Sequence, residues 1–301
     1  MKVFLTGANG LLGQKLVQLL ASDPQIELIA SGRGPSRLPQ IPYTYKYITV
    51  DICKEEEVIK VMDTYSPDAI INTAAMTNVD QCEENRTSCW KNNVEAVKYL
   101  IKAAESCGAY FQHVSTDFIF DGTAGPYEET AVAQPVNYYG ESKLAAEELV
   151  KTSKLSWSII RTVLVYGLAY DMSRSNIILW VKNSLEKNKE IQVVTDQWRT
   201  PTLAEDLAQG CYLALKNQAI GIYHISGKDF LTPYEMAIKT ADFFQLDKSL
   251  IKKANSSNFK QPALRPPRTG FIIKKAIKEL GYAPHSFDEG IAILSEQLIT
   301  H

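Results

Sequence analysis

The 301-residue chain has no long apolar run. Its most hydrophobic stretch, Ser158 to Tyr170, is short and carries Arg161, which excludes a membrane-spanning helix there. An excess of either charge is missing too. Lys and Arg number 32 against 34 Asp and Glu, a net charge of −2, so no footprint for nucleic acid or an anionic membrane surface is present. The five cysteines (Cys53, Cys82, Cys89, Cys107 and Cys211) show no C-x-x-C spacing. An odd count without a signal peptide points to a reducing compartment, and a cytoplasmic protein is expected. The four histidines (His113, His224, His285 and His301) are far apart, so no metal site is expected. There is no G-x-S-x-G elbow, internal repeat or low-complexity tract, and a hydrolase is not expected. The remainder is ordinary for a globular protein, with 45% hydrophobic and 22% charged residues. Its length suits one large domain or two modest ones.

The chain opens on its most informative stretch. Lys2 to Thr6 reads as a buried strand, with no room for a targeting segment before it. Gly7-Ala-Asn-Gly10-Leu-Leu-Gly13 follows, and Gln14 to Leu20 then has apolar residues at helical spacing. Strand, glycine turn and helix form the layout of a dinucleotide-binding unit, although the spacing is G-x-x-G-x-x-G. A side chain at Gly7 or Gly10 would block the approach of backbone N–H groups to a pyrophosphate, and a helix N-terminus is an anion site. Gly13 would let the helix sit close to the strand. An ordinary turn with a glycine cap uses the same residues. The position directly after a strand at the start of the chain favours the cofactor.

Glu27 to Ser31 reads as the second strand, ending at Gly32-Arg33-Gly34. In a dinucleotide fold this end faces the adenosine ribose, where a basic residue accepts the 2′-phosphate of NADP. Arg33 therefore favours NADPH over NADH, unless it is a solvated loop arginine. Tyr47 to Val50, Asp68 to Ile71, Tyr110 to Val114 and Trp157 to Val165 read as four further strands. The first of these closes on Asp51 and Ile52, the second on Asn72-Thr-Ala74-Ala75. The small residues would let a flat ring lie against the backbone. Thr87 to Cys107 reads as a long helix in which Asn93, an unfavourable interior residue, is given a task. Alternating strands and helices predict an α/β fold, a Rossmann-like doubly wound parallel sheet. Beyond it, Asn176 to Leu185 and Pro233 to Phe244 look helical, while Ile191 to Val194 and Ile222 to Ile225 look like strands. This irregular half predicts a smaller C-terminal substrate-binding region.

Tyr139 and Lys143 lie four apart on a predicted helix. Four residues turn about 400°, which puts both side chains on nearly one face, whereas Tyr138 lies about 140° from Lys143. A nearby ammonium would favour the phenolate and lower the phenol's pKa, fitting Tyr139 for proton transfer to a carbonyl oxygen. Thr116 ends the fifth strand at the same edge. Its hydroxyl would orient that oxygen, or it caps a turn.

With these stretches in hand, the chain resembles the extended short-chain dehydrogenase/reductases, and within them the dTDP-4-dehydrorhamnose reductase group. The resemblance runs through most of the chain. It is carried by Thr6 to Gly13, Asn72 to Asp80, Ser115 to Gly122 and Tyr139 to Lys143, with Arg161-Thr162, Val165 to Gly167, Pro201-Thr202 and Arg265-Pro266 adding to it. The resemblance implies NAD(P)H-dependent reduction at the C4 carbonyl of a nucleotide-linked deoxysugar. Thr116, Tyr139 and Lys143 would then be catalytic. The cofactor would meet Gly7, Asn9, Gly10, Leu11, Leu12, Gly13, Arg33, Asp51, Ile52, Ala74, Ala75, Asn93, Tyr139 and Lys143. The sugar nucleotide would meet Thr77, Val79, Thr116, Asp117, Leu164 and Arg199.

Two departures from that group fall where substrate would bind. Leu164 stands where Trp is usual, and Arg199 where Gly is usual. A reductase or epimerase of another nucleotide sugar is thus an alternative. So is a non-catalytic NADP-binding subunit, similar to the regulatory subunit of methionine adenosyltransferase, with Trp198 and Arg199 as residues to examine. Residues 1–165, with a later contribution from about 196–225, are expected to bind NAD(P). Residues 166–195 and 226–301 are expected to bind substrate. NADPH is the expected cofactor with NADH as the alternative, and a homodimer is an open option.

Overall fold

The computed structural model describes residues 1–171 and 175–300; His301 lies outside them. The first part runs β1 (Lys2–Thr6), α1 (Leu11–Ser22), β2 (Glu27–Gly32), β3 (Lys46–Thr49), α2 (Glu55–Tyr65) and β4 (Ala69–Asn72). Next come α3 (Val79–Glu84), α4 (Arg86–Trp90), α5 (Ala96–Cys107), β5 (Tyr110–Thr116), α6 (Tyr138–Thr152) and β6 (Trp157–Thr162). The rest holds β7 (Val165–Tyr166), α7 (Ile177–Leu185), β8 (Ile191–Val194), β9 (Thr202–Leu203), α8 (Ala204–Lys216) and β10 (Gly221–His224). It ends with α9 (Pro233–Phe243), β11 (Ile251–Ala254), α10 (Lys274–Leu280) and α11 (Phe287–Thr300).

Seven strands form one sheet in the order β3-β2-β1-β4-β5-β6-β10, and every neighbouring pair is parallel. The strands are apolar on both faces because helices cover both. Val3 and Leu5 of β1 face Leu16 and Leu20 of α1, Leu207 and Leu215 of α8, and Leu280 of α10. Phe4, between them, joins Val58 and Met62 of α2, Leu100 and Ala104 of α5, and Val150 of α6 on the other side. The chain reverses its direction of travel across the sheet between β1 and β4. The loops leaving those two strands therefore diverge and open a crevice at the C-terminal edge. This is the doubly wound architecture expected from the alternation of elements.

The smaller layer has its own apolar clusters. Val181 and Leu185 of α7 pack with Ala237 and Ala241 of α9 and with Ile191 and Ile251 of the paired β8 and β11. Phe287, Ile291 and Leu294 of α11 close on Tyr166 and Met236. A capping box at Thr232 and Glu235, with Pro233 in the first turn, fixes where α9 starts.

Three elements differ from expectation. β6 stops at Thr162, because Leu164 takes a left-handed φ of 39° that breaks the extended backbone; β7 then leaves to pair with β9. The long helix is interrupted by a π-type turn at Lys91–Glu95. Although α10 lies in the C-terminal stretch, Ala276 and Leu280 pack against the main sheet. Among the described residues, no helix is long and apolar enough to cross a membrane.

Candidate active site

The glycine turn has a different reason at each position. Gly7 has φ of 73°, and a Cβ there would lie 2.6 Å from Thr73 Oγ1 and 2.9 Å from Ala74 N. Close packing of the loops after β1 and β4 thus demands glycine there before any ligand does. At Gly13 a Cβ would overlap the Gly7 carbonyl oxygen, so α1 sits directly on the turn. Gly10 is different: its Cβ would meet only that same oxygen, at 3.3 Å. The protein alone demands little at Gly10, which fits a ligand approaching from outside. Gly10 caps α1 with no side-chain hydrogen bond, so the first-turn N–H groups at Leu11 and Leu12 face the crevice mouth unscreened by a capping side chain. These features suit a dinucleotide pyrophosphate.

Asn9 braces the turn. Its Nδ2 donates to Tyr47 Oη at 2.9 Å and to the Pro35 carbonyl at 3.1 Å, and its Oδ1 accepts from Arg37 N at 2.9 Å. Arg33, beyond the end of β2, is exposed and has no hydrogen bond or ion pair among the described residues. Arg37 is a second exposed cation on this loop. Sequence reasoning passed over it; the signal was a repeat of Arg after four residues in a Gly-Pro-Ser turn. Asp51 follows β3 half-buried, its Oδ1 accepting from Cys53 N at 3.1 Å, and Ile52 is buried. Ala74 and Ala75 follow β4 at the crevice, partly exposed. Asn93 is engaged elsewhere. Its Oδ1 accepts from Met76 N at 2.7 Å, while Nδ2 reaches the Met76 carbonyl at 3.1 Å and Ser142 Oγ at 3.0 Å. It ties the loop after β4 to α6, a positioning task.

Asn137 caps α6 by accepting from Gly140 N at 2.9 Å. Tyr139 points inward and is 8% exposed, with its ring edge-on to Phe118 at 6.0 Å between centroids. Tyr138 points away, toward Trp90 and Arg86. Burial pushes the Tyr139 phenol well above its usual value; the Thr116 hydroxyl opposes this, while Asp117, Cys82 and Cys89 add to it. Lys143 is buried as well. Its Nζ donates to the Val114 carbonyl at 2.7 Å and lies 3.1 Å from His113 Nε2. Burial brings Lys143 down to about 8. The expected lowering of the phenol by the ammonium is therefore not found in the chain by itself. Desolvation dominates the phenol, and the amine is directed into the edge of β5.

Of the two tasks considered for its hydroxyl, Thr116 shows the cap. It caps the turn after β5, accepting from Phe118 N at 3.2 Å, and it adjoins the phenol. Beside it Asp117 is buried, bonded to Thr116 Oγ1 at 3.2 Å and to the Thr269 hydroxyl. Burial raises the Asp117 carboxyl, with the Arg199 cation opposing. Arg199 is itself buried. Its Nε is 3.8 Å from Asp117 Oδ2, and its terminal nitrogens donate to the carbonyls of Pro266 at 2.7 Å, Trp198 at 2.8 Å and Pro267 at 3.2 Å. Of the other substrate candidates, Thr77 and Leu164 are exposed and Val79 opens α3. Two open cavities, of about 410 and 380 Å³, lie outside this crevice and hold none of these residues. Among the described residues, no group of three His, Cys, Asp or Glu side chains is arranged to hold a metal ion.

The chain thus carries a glycine turn at the switch point of a parallel sheet and a buried Tyr139–Lys143 pair. The family model described as RmlD substrate binding domain matches residues 1–299. The chain belongs to the RmlD family. A probable low-salt glycan biosynthesis reductase, Agl14, of Haloferax volcanii is 31% identical over 98% of this chain and 97% of its own length. A dTDP-4-dehydrorhamnose reductase from Clostridium acetobutylicum superposes with a TM-score of 0.86 at 27% identity, covering 99% of this chain and 100% of that one. The dTDP-4-dehydrorhamnose reductase of Bacillus anthracis, solved in complex with NADP, gives 0.85 at 26% identity, covering 98% of this chain and 99% of that one.

Within this RmlD-family site, several participants were not legible in the sequence. His113 contacts Lys143, Asn72 holds His113, Thr269 contacts Asp117, and Arg265 donates to Asp80 from both terminal nitrogens at 2.6 and 2.7 Å. Asn72, Asp80 and Arg265 lay in stretches that carried the family resemblance, and His113 lay in an expected strand without a task of its own. Thr269 gave no signal, because it approaches from a loop 152 residues away.

Proposed function

We propose that this RmlD-family protein reduces the 4-keto group of a nucleotide-linked deoxysugar, in the manner of a dTDP-4-dehydrorhamnose reductase, with NADPH as the preferred cofactor. The protein is a nicotinamide-dependent reductase by family. The finer reading rests on the grouping of Tyr139, Thr116 and Lys143 beside the glycine turn. The residues fit a dinucleotide: an uncapped α1, a tolerant Gly10, and the exposed Arg33 and Arg37 for a 2′-phosphate. When bound, a reduced nicotinamide supplies the hydride.

The chain's own residues handle the oxygen. Thr116 donates to the carbonyl oxygen and orients it. Tyr139 then gives its proton to that oxygen as negative charge develops. A phenol kept protonated by burial suits this direction, since an alkoxide is a far stronger base than a phenolate. Lys143, one turn further along α6, compensates the phenolate left behind when its amine is charged. The Arg199–Asp117 pair and the loop it holds form the sugar side of the pocket. Loss of NADPH absorbance with a dTDP-4-keto-6-deoxysugar tests the reading. Consumption matched by reduced sugar supports it; no consumption with any 4-keto nucleotide sugar contradicts it.

A second reading, a cofactor-holding partner subunit, is favoured by Arg199, whose side chain fills space between Asp117 and the Pro266–Pro267 carbonyls. Recovery of a stoichiometric enzyme partner without turnover would support it.

A further inference from the structure

The proposed mechanism leaves a buried chain of polar side chains unused. Thr6 Oγ1, at the end of β1, lies 2.6 Å from Asn72 Oδ1 at the end of β4. Asn72 Nδ2 lies 3.1 Å from His113 Nδ1 on β5, and His113 Nε2 lies 3.1 Å from Lys143 Nζ. Thr6, Asn72, His113 and Lys143 are all buried. The chain thus runs across three adjacent strands, from the residue before Gly7 to the amine beside Tyr139.

Its hydrogen-bond directions are constrained. A neutral imidazole donates from one nitrogen and accepts at the other. With Asn72 donating to Nδ1, His113 carries its proton on Nε2, and only an uncharged Lys143 amine accepts that proton. With Lys143 as an ammonium, Nε2 must accept. The proton then sits on Nδ1, and the Asn72 carboxamide turns its oxygen toward the ring and its NH2 toward Thr6. The two arrangements differ by one proton on Lys143, one imidazole tautomer and one amide rotation.

We propose that His113, held by Asn72, is the positioning residue that sets the charge of Lys143 and couples it to the β1 end of the glycine turn. This rests on the reading of Tyr139 and Lys143 as the proton-transfer pair. Burial keeps His113 well below its ordinary value, the Lys143 charge adding to this, so it serves as a neutral tautomeric bridge. Other ionisable groups surround Lys143. Glu147, on the same helix, is committed to Arg161 of β6 at 2.7 Å. Cys89 of α4 is brought down to about 7, chiefly by Cys82 of α3 and then by Ser142 and Asn93. Asp117 follows β5, and Tyr139 precedes Lys143 on α6. Among the described residues none of these donates to or accepts from Nζ; His113 and Val114 do.

The test has two arms. The first follows the pH dependence of kcat/KM for NADPH-dependent reduction in His113→Phe and His113→Gln. Phe keeps the ring's bulk but no acceptor, so the alkaline limb should move to lower pH by about one unit. Gln keeps an acceptor facing Nζ, and its limb should stay close to the wild-type one. The same limb in all three proteins overturns the proposal. The second arm needs no activity and covers a Phe variant that does not fold. Nitrogen chemical shifts of His113 in the unsubstituted protein, labelled at histidine, are followed from about pH 6 to pH 10. The proposal expects a neutral ring whose proton moves from Nδ1 to Nε2 as Lys143 loses its charge near pH 8. A single tautomer throughout, or an imidazolium, overturns it. Absence of any turnover in wild type, with the tautomer change present, would fault the functional reading and leave the coupling standing.

Discussion

Gly140 presses so closely on the carbonyl of Phe118 that an added Cβ would overlap that oxygen. This contact holds the first turn of α6 against the turn that follows β5. It is why Tyr139 from one element meets Thr116 from the other. Gly140→Ala should cost about 1–3 kcal/mol in stability by urea unfolding and should lower kcat by more than it raises KM. Unchanged stability and kcat would mean that the two elements are not set by this contact.

The exposed guanidinium of Arg33 sits at the end of β2 with no protein partner among the described residues. Arg33→Ala should weaken NADPH binding by roughly tenfold to a hundredfold, the worth of a hydrogen bond to a charged group, and leave NADH binding nearly unchanged. Titration calorimetry with both cofactors checks this. Equal losses for the two would remove Arg33 from the 2′-phosphate. Arg37→Ala tests the second cation in the same way.

Arg161 and Glu147 form a buried pair, with Arg161 Nε 3.0 Å from Glu147 Oε1 and Nη2 2.7 Å from Oε2. Breaking it from one side strands a charge in the interior. Glu147→Leu should destabilise the protein by about 3–5 kcal/mol. The Arg161→Met, Glu147→Leu double variant should recover much of that loss. A double variant as unstable as the sum of the two singles would contradict this account.

Lys143 has a pH signature of its own in folding. It ionises at about 8 in the folded chain against 10.5 for the free side chain. Between those values the unfolded chain binds more protons, so stability rises with pH across that window. Below about pH 8 the buried charge is a net cost. Wild type should therefore gain about 2 kcal/mol on Lys143→Met between roughly pH 7 and pH 10. Parallel stability curves would show that Lys143 is not charged and buried at neutral pH.

The parallel sheet was legible because strands covered on both faces read as short continuous apolar runs, and because Gly7 and Gly13 punctuate the first of them. Tyr139 and Lys143 were legible from helical spacing alone. Their electrostatics were not, since spacing puts two side chains on one face but does not say how much water is left there. The break after Thr162 was hidden because nothing in Val163-Leu164-Val165 marks a left-handed residue. Arg199 read as a residue on the substrate side, standing where Gly is usual. Its partners are carbonyls at Pro266 and Pro267, and a backbone oxygen leaves no trace in a side-chain pattern.

The most direct measurement of the central claim is NADPH oxidation by Tyr139→Phe beside the unsubstituted protein, on a dTDP-4-keto-6-deoxysugar, with NADPH affinity measured in parallel. The account predicts kcat lower by roughly a hundredfold to ten-thousandfold with affinity for NADPH unchanged. A phenylalanine variant that turns over as fast as the unsubstituted protein would contradict it.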